Sequence, residues 1–87
     1  MKRTVDEKLK YNREQKTPFS YGYVWGVQAY RRYPKANAKE RKRILEEIDD
    51  YKQLAKNGGT QSRQCGKGFM CAVRDCAEER KAKQKRR

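Results

Sequence analysis

Three helix-start signals divide this chain, and they constrain its fold more than any other feature of the sequence. Thr4 stands three residues before Glu7, which is the spacing of a capping box. Thr17 stands directly before Pro18, and proline is tolerated at the first helical position because its missing N–H is not needed there. Asn37 opens a third segment as an N-cap residue. These signals predict an all-α fold.

The predicted architecture is a small three- to four-helix bundle with a flexible basic C-terminal tail. We expect helices over residues 4–15, 18–33, 38–56 and 67–79, with a polar loop before the last of them. At 87 residues the chain has room for one core, because a second would be too small to be stable. Residues 1–79 are therefore predicted to form a single helical domain, and residues 80–87 the tail.

Apolar residues at helical spacing predict the buried faces. The clearest stripe lies in the third segment and consists of Ile44, Ile48, Tyr51 and Ala55, with Leu45 beside them. The fourth segment repeats Phe69, Val73, Cys76 and Ala77 at the same spacing. The first segment has few apolar residues and is expected to be the least stable element or to pack as a flap. Gly58 and Gly59 are predicted to end the third helix in the left-handed conformation.

Aromatic residues are expected to compensate for a lean core. Only 34% of the chain is hydrophobic and 40% is charged, which is close to the composition at which chains stop folding. Five of the nine aromatic residues lie between Phe19 and Tyr30, and Trp25 is among them. Each can bury a large area, so the core is expected to be centred on this segment.

Gly22 and Gly26 lie four residues apart, on one face of the second helix. Each costs roughly 1 kcal/mol relative to alanine inside a helix, so we expect close approach of another helix to compensate. The same spacing supports helix dimerisation in membranes, but this segment is short and rich in tyrosine. A strand over residues 21–27 is the other alternative, because aromatic and β-branched residues occur there.

A large excess of positive charge points to an anionic partner. The chain carries 24 basic and 11 acidic residues, for a net charge of +13, and this self-repulsion needs a compensating anion. Six cations fall in the last eight residues, a pattern typical of a flexible arm that contacts phosphate backbones. Acidic lipids or an acidic protein would attract the same charge.

Two further clusters are candidate contacts. Basic side chains surround the start of the third helix, where the macrodipole and free N–H groups favour anions, although a solvated face is the alternative. Tyr30 and Tyr33 flank Arg31 and Arg32. This combination of rings and guanidinium groups suits unpaired bases or phosphates, although simple packing is the alternative. The predicted nucleic-acid-binding residues are Arg31, Arg32, Lys35, Lys39, Lys42, Arg43, Arg80, Lys81, Lys83, Lys85, Arg86 and Arg87.

The sequence argues against an enzyme and against a bound metal or cofactor. Histidine is absent, which removes the commonest general base and metal ligand. The spacing of Cys65, Cys71 and Cys76 does not match a structural zinc site, and an odd number of cysteines favours free thiols. Cys76 lies on the Phe69 stripe and is expected in the core. A redox or metal role for Cys65 or Cys71 is the alternative.

No window approaches the roughly 20 apolar residues that span a bilayer, and no signal-peptide hydrophobic region follows the N-terminus. We therefore expect a cytoplasmic protein without a membrane span. The sequence leaves the oligomeric state open.

Three stretches carry a resemblance to a known group of proteins. They are Pro18-Phe19-Ser20-Tyr21-Gly22-Tyr23-Val24, Tyr30-Arg31-Arg32-Tyr33-Pro34 and Ile48-Asp49-Asp50-Tyr51-Lys52. Together they resemble small basic proteins of bacterial conjugative and other mobile elements. The resemblance implies a setting in which DNA transactions are common, and it transfers no functional residue.

The function expected from the sequence is therefore that of a small helical accessory protein that binds nucleic acid, either DNA or RNA, by electrostatic contacts with phosphates. The alternative is a protein-interaction module or inhibitor that docks on the acidic surface of a partner protein.

Overall fold

Thr4, Thr17 and Asn37 cap the first three helices. The structure, a computed structural model that describes residues 4–84, shows each side chain accepting a hydrogen bond from the backbone N–H three residues later. The helices are α1 (Val5–Gln15), α2 (Pro18–Arg32), α3 (Ala38–Asn57) and α4 (Thr60–Gln84), and a 3-10 turn over Tyr33–Lys35 joins α2 to α3. The described residues contain no strand. The all-α prediction is confirmed, and the strand alternative for residues 21–27 is wrong.

The fourth helix is longer than predicted at both ends. It begins at Thr60 rather than at residue 67, and the predicted polar loop is wrong. The polar stretch is helical because its Cys65 and Gly66 backbone packs against α2 and α3, and this packing outweighs local composition. At the other end, residues 80–84 of the predicted tail continue the helix, and residues 85–87 lie outside the described residues.

The turn between α3 and α4 uses glycine for space rather than for a left-handed conformation. Gly58 has φ −71° and ψ 167°, and no described glycine has a positive φ, so the predicted left-handed ending is wrong. A methyl group added at Gly58 would lie 2.7 Å from the Leu54 carbonyl oxygen. The Gly58 N–H donates to that oxygen, and the Gly59 carbonyl accepts from the Arg63 N–H. The connection thus needs only two residues.

α4 is the central helix, and α2 packs along it through glycines. A methyl group added at Gly26 would lie 2.6 Å from the Phe69 carbonyl oxygen, and one at Gly22 would overlap the Cys65 carbonyl. Gly68 of α4 meets the backbone of Phe19 in the same way. The predicted close approach of another helix to Gly22 and Gly26 is confirmed. α3 packs mainly against α4, and it meets α2 through a few side chains, among them Tyr51 against Trp25.

The core consists of two clusters around α4. The first joins α1, α2 and α4 and contains Val5, Leu9, Tyr23, Val27, Ala72 and Cys76. The second joins α2, α3 and α4 and contains Ala29, Ala36, Ile44 and Phe69. Cys76 is a core residue, as predicted. Trp25 is not, because Gly22 and Gly26 occupy the face of α2 that meets α4, and 46% of Trp25 is exposed.

Lys16 ends α1 in the left-handed conformation, at φ 53° and ψ 38°. A side chain is strained there, so Lys16→Gly should stabilise the fold by about 0.5–1 kcal/mol, after allowance for the flexibility of glycine in the unfolded chain. Thermal unfolding followed by circular dichroism should show a rise of a few degrees in Tm. Lys16→Ala removes the same charge and keeps Cβ. Equal shifts in both variants would assign the effect to charge instead.

Candidate nucleic-acid interface

The end of α2 and the last turns of α4 meet at one end of the bundle. A shallow cleft of about 270 Å³ lies between them, and it is lined by Tyr30, Arg31 and Pro34 from one side and by Cys76, Glu79, Arg80 and Lys83 from the other. Three predicted binding residues therefore line one cleft, although they lie far apart in sequence. We call this site, defined by Arg31, Arg80 and Lys83, the basic cleft.

Contacts with the start of α1 hold the two sides of the basic cleft in place. The Val5 backbone N–H donates to Glu79 Oε2 over 3.1 Å, which ties the end of α4 to α1. Arg31 Nη2 donates to Asp6 Oδ1 over 2.5 Å, which ties the end of α2 to the same turn of α1. Lys83 lies 3.9 Å from Glu79, one turn before it on α4. α1 thus stabilises the positions of both sides of the cleft.

The ion pair between Asp6 and Arg31 does not prevent Arg31 from binding an anion. Because Arg31 donates a hydrogen bond to it, the pKa of Asp6 lies below its usual range, and the Arg31 charge adds to this effect. The Asp6 carboxylate is highly exposed, and exposed ion pairs are weak. Arginine has five N–H donors, so a phosphate can share Arg31 or take the place of the carboxylate.

The other predicted residues lie around or apart from this cleft. Arg32 points elsewhere, since its Nη2 lies 3.8 Å from Glu47 Oε2 of α3. Within residues 4–84, an exposed group of predicted residues has no acidic partner within 4.0 Å, and it consists of Lys35, Lys39, Lys42, Arg43, Arg80 and Lys81. Lys35 directly follows Pro34 at the cleft. The predictions for Lys85, Arg86 and Arg87 lie outside the described residues.

The start of α3 is partly filled by its own side chains. Asn37 Oδ1 accepts the Glu40 N–H over 2.9 Å, and Glu40 places a carboxylate in the first turn. Arg41 turns back and donates to the carbonyls of Tyr33 and Pro34, over 3.2 and 3.1 Å, with its guanidinium over the Tyr33 ring. Arg41 therefore stabilises the turn. Phosphate contacts near this turn would come from the exposed lysines rather than from the helix terminus.

A buried polar cluster was not predicted from the sequence. Asp75 of α4 accepts hydrogen bonds from the Tyr23 hydroxyl over 2.9 Å and from Lys8 Nζ over 3.1 Å. It lies in a cleft of about 490 Å³ between α1, α2 and α4. Asn12 accepts from Ser20 in the same cleft. The partners of Asp75 are 52 and 67 residues away, and no local pattern reports such a contact.

The three cysteines are poorly suited to nucleophilic chemistry. Burial raises the pKa of Cys65 and Cys71, and it raises the pKa of Cys76 to about 11. The thiolate is the reactive form, so a raised pKa lowers reactivity. All three thiols are free, and no cluster that could hold a metal ion occurs within residues 4–84. Among those residues, no helix is both long and apolar enough to cross a bilayer.

Comparison with known proteins gave no match to a protein-family model, a curated protein or a solved structure. The resemblance to small basic proteins of mobile elements therefore stays a prediction.

Proposed function

We propose that this protein is a small helical accessory protein that binds nucleic acid, and that the basic cleft is its main contact with the phosphate backbone. The observation that supports this best is the meeting of Arg31, Arg80 and Lys83, from two different helices, around one exposed cleft. Cations held on a folded surface lose less entropy on binding than cations on a free arm, which favours a defined contact.

The surrounding charge extends the same surface. Lys35 follows the cleft residue Pro34, and Lys39, Lys42 and Arg43 continue along the exposed first turns of α3. These side chains have no acidic partner within 4.0 Å among the described residues, so they are available for phosphates. Such contacts carry no sequence information by themselves, and we therefore expect low sequence specificity.

Salt dependence of binding tests this proposal. Neutralising about six phosphates should weaken duplex binding by roughly a thousandfold between 50 and 200 mM salt, because counterions are released. The measurement is fluorescence anisotropy with labelled duplex DNA, single-stranded DNA and RNA across that range. A flat salt response for all three would contradict the proposed function.

A charge-matched pair of variants locates the contact. The triple variant Arg80→Ala, Lys81→Ala and Lys83→Ala removes three cations at the basic end of α4 and keeps a helix-favouring residue at each position. It should reduce the slope of log K against log salt by about three. The control, Lys52→Ala, Lys56→Ala and Arg63→Ala, removes three exposed cations at the opposite end of the α3–α4 pair. An equal reduction of the slope in the two variants would show that bulk charge, and not the cleft, governs binding.

A second candidate function is docking on an acidic protein, as a module or inhibitor. An apolar groove of about 280 Å³ beside the basic cleft favours it, because Ile44, Leu45 and Val73 line this groove and Arg80 lies at it. Leu45 is 53% exposed. Affinity capture with and without nuclease separates the two functions. A protein that is still captured after nuclease treatment, but is not captured by the Leu45→Lys variant, would favour docking on an acidic protein.

A further inference from the structure

An aromatic ladder runs from the core to the surface between α2 and α3. The buried Phe69 ring stacks on Tyr51, with ring centroids 4.1 Å apart and planes 7° apart. Trp25 packs against Tyr51 at 6.4 Å, and Tyr21 stacks on Trp25 at 6.3 Å with planes 24° apart. The inner rungs fix the ring of Trp25, while Trp25 and Tyr21 remain 46% and 47% exposed.

This exposure is costly in a chain with so few hydrophobic residues. Burying an aromatic side chain stabilises a fold by about 1.5–3 kcal/mol. Because Trp25 and Tyr21 are only half buried, the fold lacks much of this stabilisation. A stacked, partly rigid aromatic pair left open to solvent is typical of a binding surface. The exposed rings of Trp25 and Tyr21 therefore indicate a ligand with a flat face.

Polar side chains continue the same face of α2. Tyr21, Trp25, Gln28 and Arg32 are spaced by four, three and four residues, so they form one stripe along the helix. Trp25, Gln28, Arg31, Arg32 and Glu47 line a shallow cleft of about 400 Å³. The stripe thus joins a stacking surface to the Gln28 amide and the Arg32 guanidinium group.

Arg31 connects the cleft beside this stripe to the basic cleft, because it lines both clefts. A phosphate backbone bound at the basic cleft can therefore pass Arg31 and follow α2 for about 15 Å to Tyr21. In a duplex the base faces are already stacked, and only their edges can be reached from the grooves. An unpaired strand is the form of nucleic acid that offers both a phosphate backbone and open base faces.

We propose, building on the proposed function, that Tyr21 and Trp25 form a stacking platform for unpaired bases, so that the protein binds single-stranded nucleic acid more tightly than duplex. Gln28 lies one turn beyond Trp25 and offers hydrogen bonds to base edges. Glu47 is the one acid in the cleft, where it holds Arg32 against α3 and can accept from a base amino group.

Trp25 is the only tryptophan, so its fluorescence reports on the platform directly. Titration with oligo(dT) should quench this fluorescence by stacking, and a duplex of the same length should leave it nearly unchanged. Tyr21→Ala keeps the fluorophore and removes only the outermost rung. It should weaken oligo(dT) binding by about ten- to a hundredfold and duplex binding by less than about twofold.

Two controls separate stacking from loss of fold. Tyr11→Ala removes a tyrosine of similar exposure, 49%, from α1, and it should leave oligo(dT) affinity unchanged. Trp25→Leu keeps an apolar contact with Tyr51 and should lose oligo(dT) affinity while its helical circular dichroism is retained. Salt-dependent binding without quenching, and without loss in Tyr21→Ala, would overturn the platform and leave the proposed function in place. Absence of salt-dependent binding to any nucleic acid would overturn both.

Discussion

Gly22→Ala should destabilise the protein by about 3 kcal/mol, near the upper end for overpacked cores. The added methyl group would overlap the Cys65 carbonyl and lie 3.0 Å from its Cα, so α2 and α4 would have to separate. Backbone atoms cannot move aside as a flexible side chain can. The loss would outweigh the roughly 1 kcal/mol that alanine contributes to helix propensity. Urea unfolding followed by circular dichroism measures this difference.

Gly59→Ala is the matched control. A methyl group at Gly59 meets nothing within 4 Å, and its φ is not positive. Its effect on the free energy of unfolding should therefore stay within about 0.5 kcal/mol. Gly68→Ala, which approaches the Phe19 backbone from the other helix, should resemble Gly22→Ala. If Gly22→Ala proves as mild as Gly59→Ala, the two helices do not meet through their glycines.

The contrast among these glycines shows what sequence alone can predict. The spacing of Gly22 and Gly26 is local, and it correctly indicated a close helix contact. The partner stretch, however, is polar, and it has no apolar stripe that would indicate a helix starting at Thr60. Its helical state depends on contact with the backbone of α2, which lies far from it in sequence, and with the backbone of α3. The starts of α1, α2 and α3 were predictable because a capping side chain marks each of them locally. The start of α4 depends on packing and was not.

The candidate site divides in the same way. The high cation density at the C-terminus can be read from the sequence, but the meeting of Arg80 with Arg31 depends on how α2 packs on α4. Arg41 shares the composition of its neighbours and differs only because the Tyr33 and Pro34 carbonyls lie within its reach. Trp25 was expected in the core, since its residue type is usually buried. Its exposure follows from the two glycines that take the inner face of α2.

The Asp75 cluster is the other contact on which the fold depends. Tyr23 is 2% exposed, and its hydroxyl donates to Asp75 in the core, where burial and this hydrogen bond both raise the Tyr23 pKa. Asp75→Ala leaves that hydroxyl without its acceptor, at a cost of about 2–3 kcal/mol. Lys8 adds little to the loss, because 37% of its side chain is exposed and water can replace the carboxylate. Asp50→Ala, an exposed aspartate on α3, should change stability by less than about 0.5 kcal/mol.

A double-mutant cycle identifies the source of this loss. Tyr23→Phe removes the hydroxyl and keeps the ring, so the Asp75→Ala change should cost less in that background, with a coupling of about 1 kcal/mol or more. Asp75→Asn keeps an acceptor for Tyr23 and should be milder than Asp75→Ala in denaturant unfolding. If the two substitutions simply add, the hydrogen bond is not what stabilises this region. A larger role for the Lys8 ion pair than expected here would then be tested by Lys8→Met, which should reproduce the loss.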